Sequence, residues 1–123
     1  MTNPFRDQSV FMQASGQTVK QFNPDQFNMY MGLIEEESQE LADAIKAHDQ
    51  VEALDALIDI LVVTIGAIHS MGADAEGAWQ EVMRTNMAKI DPATGQVRRR
   101  EDGKILKPEG WQPPDLAPYV SGS

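Results

Sequence analysis

Six carboxylates in two short stretches carry the chemistry that this sequence suggests. "LIEEESQEL" (33–41) holds Glu36, Glu37 and Glu40, and "VEALDALIDILVV" (51–63) holds Glu52, Asp55 and Asp59. The second set is the less ordinary one. From Leu57 to Ile68 every residue except Asp59 and Thr64 is apolar or small, and an ionised carboxylate among apolar neighbours is costly unless it is paired or bound to a metal. Basic partners are scarce. Between Gln21 and Met83 thirteen acidic residues accompany a single base, Lys46. A hard divalent cation answers the need, since Mg²⁺ or Mn²⁺ takes carboxylate oxygens and keeps positions open for water. A ferritin-type di-iron centre fits less well, because neither His48 nor His69 follows a Glu by three residues.

Two helices would have to bring these acids together. "NPDQF" (23–27) is a start signal, with Asn23 or Asp25 as cap and Pro24 in the first turn. Phe27, Tyr30, Met31, Ile34, Leu41 and Ile45 then recur at helical spacing as far as about Ala47. After "HDQ", with Asp49 as cap, a third helix runs from about Val51 to Met71 and is stopped by Gly72. That helix is apolar almost all round and should be central. On a helical wheel Glu52, Asp55 and Asp59 share an arc of roughly 60°, which Gly66 continues. The break between the two helices is short, so they pack antiparallel, and Glu37 and Glu40 then face Asp55 and Asp59. Without a cation so many like charges would raise one another's pKa values and push the helices apart. Taken alone, a Glu-rich helix face is ordinarily a solvated one; the Asp55/Asp59 pair is what tips the reading toward a metal site.

Flanking these two are a loose first helix over about 5–16 and an amphipathic fourth helix from about Ala75 to Ile90, marked by Ala78, Trp79, Val82, Met83 and Met87. Trp79 and His69 read as core. Tyr30 reads either as core or as the lining of a base pocket. Beyond "DPATG" (91–95) the pattern dissolves into an irregular basic tail with a short hairpin around 96–106. No segment alternates at period two for long. The expected architecture is one all-α domain over 1–123, an antiparallel four-helix bundle over about 5–90 followed by the tail 91–123.

Composition sets the outer limits. A chain of 123 residues, 41% apolar and 24% charged, is an ordinary globular domain. With no cysteine there is no disulfide framework and no thiol nucleophile. The opening "MTNPFRDQSV" does not resemble a secretory leader, and the longest apolar run is shorter than a membrane span. The expectation is a cytoplasmic protein that touches no membrane. A net charge of −9 argues against non-specific nucleic-acid binding. The charge is uneven, however: seven of the ten bases lie between Arg84 and Lys107. Mobile cations beside a metal are a means of holding a polyphosphate, while a solvated basic tail screened against the acidic body is the plain alternative.

The string "EEExxEL…EALDALIDILVV…G", followed by "EVMRTNMAKID…REDGKILK…PPDL", resembles the all-α nucleoside triphosphate pyrophosphohydrolases. This is the MazG-like superfamily, and the likeness is to its phosphoribosyl-ATP pyrophosphohydrolase branch, from about Phe11 to Leu116. The family motif reads Glu-Glu-x-x-Glu, a spacer, then Glu-x-x-Asp. Glu36, Glu37 and Glu40 match its first half. The second half fits in two registers. One is Glu52-Ala-Leu-Asp55; the other takes Asp59, directly before the apolar run, with Ala56 where the family has Glu and with Asp55 reaching in from one position earlier.

The resemblance implies cleavage between the α and β phosphates of a nucleoside triphosphate, giving a monophosphate and pyrophosphate, with Mg²⁺ as cofactor and Mn²⁺ able to substitute. It implies Glu36 or Glu37 as the base that orients water, and Glu37, Glu40, Asp55, Asp59 and Glu52 as metal ligands. Asn86 and Lys89 would touch the nucleotide, and Lys104 and Lys107 its phosphates. Homodimers or dimer-based homotetramers are implied as well. Two other readings stand beside this one: an acidic helical module that binds a basic partner without catalysis, and a relative that sequesters nucleotides without hydrolysing them. Trp111, in "GWQPPDL", would either stack on a base or dock on its own domain.

Overall fold

A computed structural model describes residues 3–120; the ends of the chain, including the last three residues of the tail, lie outside them. The described chain forms two compact units. Unit 1 runs to Ala75 and takes in Val120; unit 2 is Glu76–Tyr119.

Unit 1 contains α1 (Pro4–Ala14), α2 (Pro24–Lys46) and α3 (Gln50–Ser70). Each begins on a residue whose side chain satisfies otherwise orphaned backbone N–H groups. Asn3 accepts from the amides of Phe5 and Arg6, Asn23 from Gln26, and Asp49 from Glu52. Pro4 and Pro24 occupy first-turn positions, where a missing N–H costs nothing. Ala47, His48 and Asp49 join α2 to α3, with His48 in the left-handed region at φ 55°. So short a connection makes the two helices antiparallel neighbours.

The core gathers Met12, Tyr30 and Ala67, with Val19, Phe27, Leu33, Ile34 and Val63 packed against them. Gly66 permits this closeness, since a Cβ there would stand 2.3 Å from Tyr30 Cε1. Tyr30 is thus a core residue. Its hydroxyl donates to Gln17 Oε1, and burial pushes its pKa above the usual phenol value. His69 is buried too, with Nε2 2.7 Å from the Phe5 carbonyl oxygen, and ties α3 to α1. The loop before α2 is held to the end of α3 by Gln26 Nε2, which donates to Thr18 O (2.7 Å) and Ser70 Oγ (2.8 Å), and by Asn23 N, which donates to Ser70 O (2.8 Å).

α3 departs from expectation in one respect. Its apolar stripe Leu54, Leu57, Ile58 and Leu61 is 62, 52, 52 and 48% exposed in the single chain, so the helix is not wrapped on every face.

Unit 2 holds most of α4 (Ala75–Met87), the two-residue strands β1 (Ile90–Asp91) and β2 (Gln96–Val97), and a 3₁₀ turn over Ala117–Tyr119. The fourth helix was expected to reach Ile90 but stops at Met87. Asp91 O accepts from Thr94 N and Gly95 N, closing a turn that pairs Ile90 with Val97. Ile90 therefore extends the helical rhythm without belonging to the helix. A second hairpin follows, in which Leu106 N donates to Arg98 O and Arg100 N to Lys104 O. Trp79, expected in the core, is 56% exposed. The class is all-α as expected: four helices, with strand pairing among the described residues limited to β1–β2 and an isolated bridge between Arg99 and Ile105.

Candidate active site

In unit 1 the acids of α2 and α3 meet around Glu37. This side chain is half-buried, and its Oε2 is a buried oxygen with no hydrogen-bond partner. The carboxyl that acts on it most strongly is that of Glu40, one turn on. The hydrogen bond with Glu40 is the largest cause holding the Glu37 pKa up, to about 7. Loss of water around Glu37 comes next, followed by the negative charges of Glu40, Asp59 and Asp55. Every named charge acting on Glu37 is an anion. The two helices thus bring Glu37 within electrostatic reach of Glu40, Asp59 and Asp55.

The remaining two acids stand apart from this group. Glu36 is exposed on α2, beside Glu37 in the chain. Glu52 is exposed at the start of α3 and is not among the groups that act on Glu37. It lines a cleft of about 510 Å³ with Glu40, Asp43, Asp49 and Asp55, near the turn between the helices. Two of those acids are already engaged: Asp49 caps α3, and Asp43 accepts from Gln39 Nε2. Asp55 is exposed and Asp59 half-buried, so neither is the fully buried carboxylate that the apolar run suggests. The reason is the exposed stripe of α3, whose apolar residues do not enclose their acidic neighbours within one chain.

Among the described residues no three His, Asp or Glu side chains are arranged as a ready-made ion site. In kind, the donors around Glu37 nevertheless suit a hard divalent cation. They are all carboxyl oxygens, and one of them is buried and unsatisfied. The raised pKa of Glu37 marks the excess of negative charge that such a cation would offset.

Unit 2 brings together three of the four residues expected to contact the nucleotide or its phosphates. Lys89 Nζ donates to Asn86 Oδ1 at 3.2 Å and lies 5.1 Å from the centroid of the Trp111 ring, and Lys107 Nζ lies 4.7 Å from the same centroid. Lys104 stands elsewhere, at the hairpin turn, where its amide donates to Asp102 Oδ1 at 3.0 Å. Trp111 docks on its own unit, Nε1 donating to Thr85 O at 2.7 Å. Lys89 and Lys107 line a cleft of about 480 Å³ together with Arg98, which the sequence did not single out from its two neighbouring arginines.

The sequence matches a family model described as phosphoribosyl-ATP pyrophosphohydrolase over residues 8–86. No curated protein matches the chain. Among the described residues no helix is long and apolar enough to cross a membrane.

Proposed function

The chain belongs to the phosphoribosyl-ATP pyrophosphohydrolase family, and from that premise we propose that it hydrolyses the α–β phosphoanhydride of a nucleoside triphosphate to a monophosphate and pyrophosphate. Pyrophosphohydrolase chemistry on a nucleotide comes with the family; the triphosphate, the cleavage position and the ion are this proposal. A role in clearing unwanted nucleotides from the pool would suit such an activity. The observation that carries the reading is the unsatisfied Oε2 of Glu37 among Glu40, Asp55 and Asp59, within the matched residues.

Glu37, Glu40, Asp55 and Asp59 would hold Mg²⁺, or Mn²⁺ in its place, with Glu52 the outermost ligand. When bound, the ion polarises the phosphates and lowers the pKa of water. Glu36, exposed beside this group, orients the attacking water as base, a role that Glu37 shares in so far as its proton equilibrium lies near neutrality. Asn86, Lys89, Lys104 and Lys107 contribute contacts to the nucleotide and its phosphates. The active form is a homodimer or a dimer of dimers. The exposed stripe Leu54, Leu57, Ile58 and Leu61, at i, i+3, i+4 and i+7 of α3, is what a second copy would cover.

The test is a panel of ordinary and altered nucleoside triphosphates incubated with Mg²⁺, with the products separated. Monophosphate plus pyrophosphate from at least one of them is the expected result. Diphosphate plus phosphate would reject the cleavage position, and no product from any of them would reject the activity.

A further inference from the structure

Three arginines stand in a row in unit 2, and the structure treats them differently. Arg99 Nη1 donates to Gly103 O at 2.8 Å, and Arg100 pairs with Asp102 at 2.6 Å. Both are occupied in shaping their own hairpin. The guanidinium of Arg98 has no hydrogen bond or ion pair among the described residues, and it is the arginine that lines the 480 Å³ cleft. Its backbone is fixed, because Arg98 O accepts from Leu106 N at 2.7 Å, which sets Arg98 beside Lys107.

The other two bases of the cleft are held by one ring. Lys89 and Lys107 lie within the roughly 6 Å reach of a cation–π contact with Trp111. Two ammonium groups over a single indole must approach each other more closely than about 10 Å, the screening length of 0.1 M salt, so they repel unless an anion lies between them. The ring cannot easily turn away, since its N–H is bonded to the carbonyl of Thr85, a buried residue. Two acids also line the cleft. Asp91, whose Oδ1 accepts from Ala93 N at 2.9 Å, and Glu109 set two negative charges against the positive charges of Lys89, Arg98 and Lys107, so the bases still outnumber the acids.

We propose that this cleft is a polyphosphate site in which Arg98 binds the anion directly and Trp111 is a positioning residue that holds Lys89 and Lys107 at its rim. The inference rests on the proposed function in that the phosphate chain is taken to be that of the substrate or of its pyrophosphate product. It adds Arg98 and Trp111 to the residues already assigned.

The test is calorimetric titration of the full-length protein with inorganic tripolyphosphate, and separately with pyrophosphate, in EDTA, so that no divalent ion takes part. Binding is expected to weaken as salt rises. Arg98→Gln and Trp111→Leu should each lower affinity about tenfold, whereas Trp111→Phe, which keeps an aromatic face, should stay within about threefold of the parent. In turnover with Mg²⁺, Arg98→Gln should raise KM while leaving kcat close to the parent value. Tighter tripolyphosphate binding assigns the cleft to the substrate chain, and equal or tighter pyrophosphate binding assigns it to the product. If the parent binds neither anion, or if Arg98→Gln binds as the parent does, the cleft is not a polyphosphate site. Arg98 is exposed, so that variant remains informative even if Trp111→Leu unfolds. Hydrolysis that persists with Arg98→Gln unaltered overturns this inference alone; tripolyphosphate binding with no hydrolysis of any triphosphate overturns the proposed function alone.

Discussion

At the scale of single residues the account turns on Glu37. Its pKa is raised to about 7, first by the hydrogen bond with Glu40, then by loss of water and by the charges of Glu40, Asp59 and Asp55. A carboxyl whose pKa is higher folded than unfolded favours the folded state most at low pH. Its contribution is full below about 4.5, the ordinary value, and is lost as pH rises through about 7. Urea unfolding without divalent ions should therefore show stability declining across that window. Glu37→Gln should remove the decline, and Mg²⁺ should restore stability above pH 7 in the parent but not in the variant. A parent whose stability is flat from pH 4.5 to 8 would refute this. The residue types and spacing in "EEESQEL" and "EALDALID" made the group around Glu37 legible in the sequence. They did not show that Glu52 would stand apart from it. Nor did they show which of Arg98, Arg99 and Arg100 would be free, because that depends on Asp102 and Gly103 folding back onto the latter two.

At the scale of elements, local capping chemistry foretold most of unit 1. Asn23, one of the two caps read for α2, and Asp49 start their helices, and the short turn between α2 and α3 makes the two helices antiparallel neighbours. His48 sits in that turn at φ 55°, a conformation that an L side chain adopts at a cost of about 1–2 kcal/mol and glycine adopts freely. His48→Gly should accordingly raise stability by about 1 kcal/mol, read from the urea midpoint with an unchanged slope; a destabilised variant would show that the His48 side chain contributes more than its backbone strain costs. Unit 2 was less legible. Apolar periodicity carried α4 on to Ile90, because Ile90 repeats the helical spacing, but the turn closed on Asp91 draws it into a strand. Trp79 satisfied the same periodicity and is exposed. The shape of the tail depends on Trp111 bonding to Thr85, 26 residues away, and on Glu81 accepting from Asp115 N at 2.8 Å. No local pattern announces pairings at such separations.

At the scale of the whole molecule, the six candidate carboxylates belong to unit 1 and most of the bases to unit 2, and the apolar stripe of α3 is left open to water in one chain. The sequence made that helix look fully buried because it reads composition, not copy number. A second copy would reconcile the two. Leu57→Glu should then shift the protein toward monomer in light scattering and lower its turnover, while unchanged mass would separate the stripe from assembly. The central claim remains the joint grip of α2 and α3 on a divalent cation, and anomalous diffraction from crystals grown with Mn²⁺ tests it most directly. The account predicts a manganese peak within about 2–2.5 Å of carboxylate oxygens of Glu37, Glu40 and Asp59. Density for these side chains turned apart, with no ion among them in a crystal that still hydrolyses triphosphate, would contradict it.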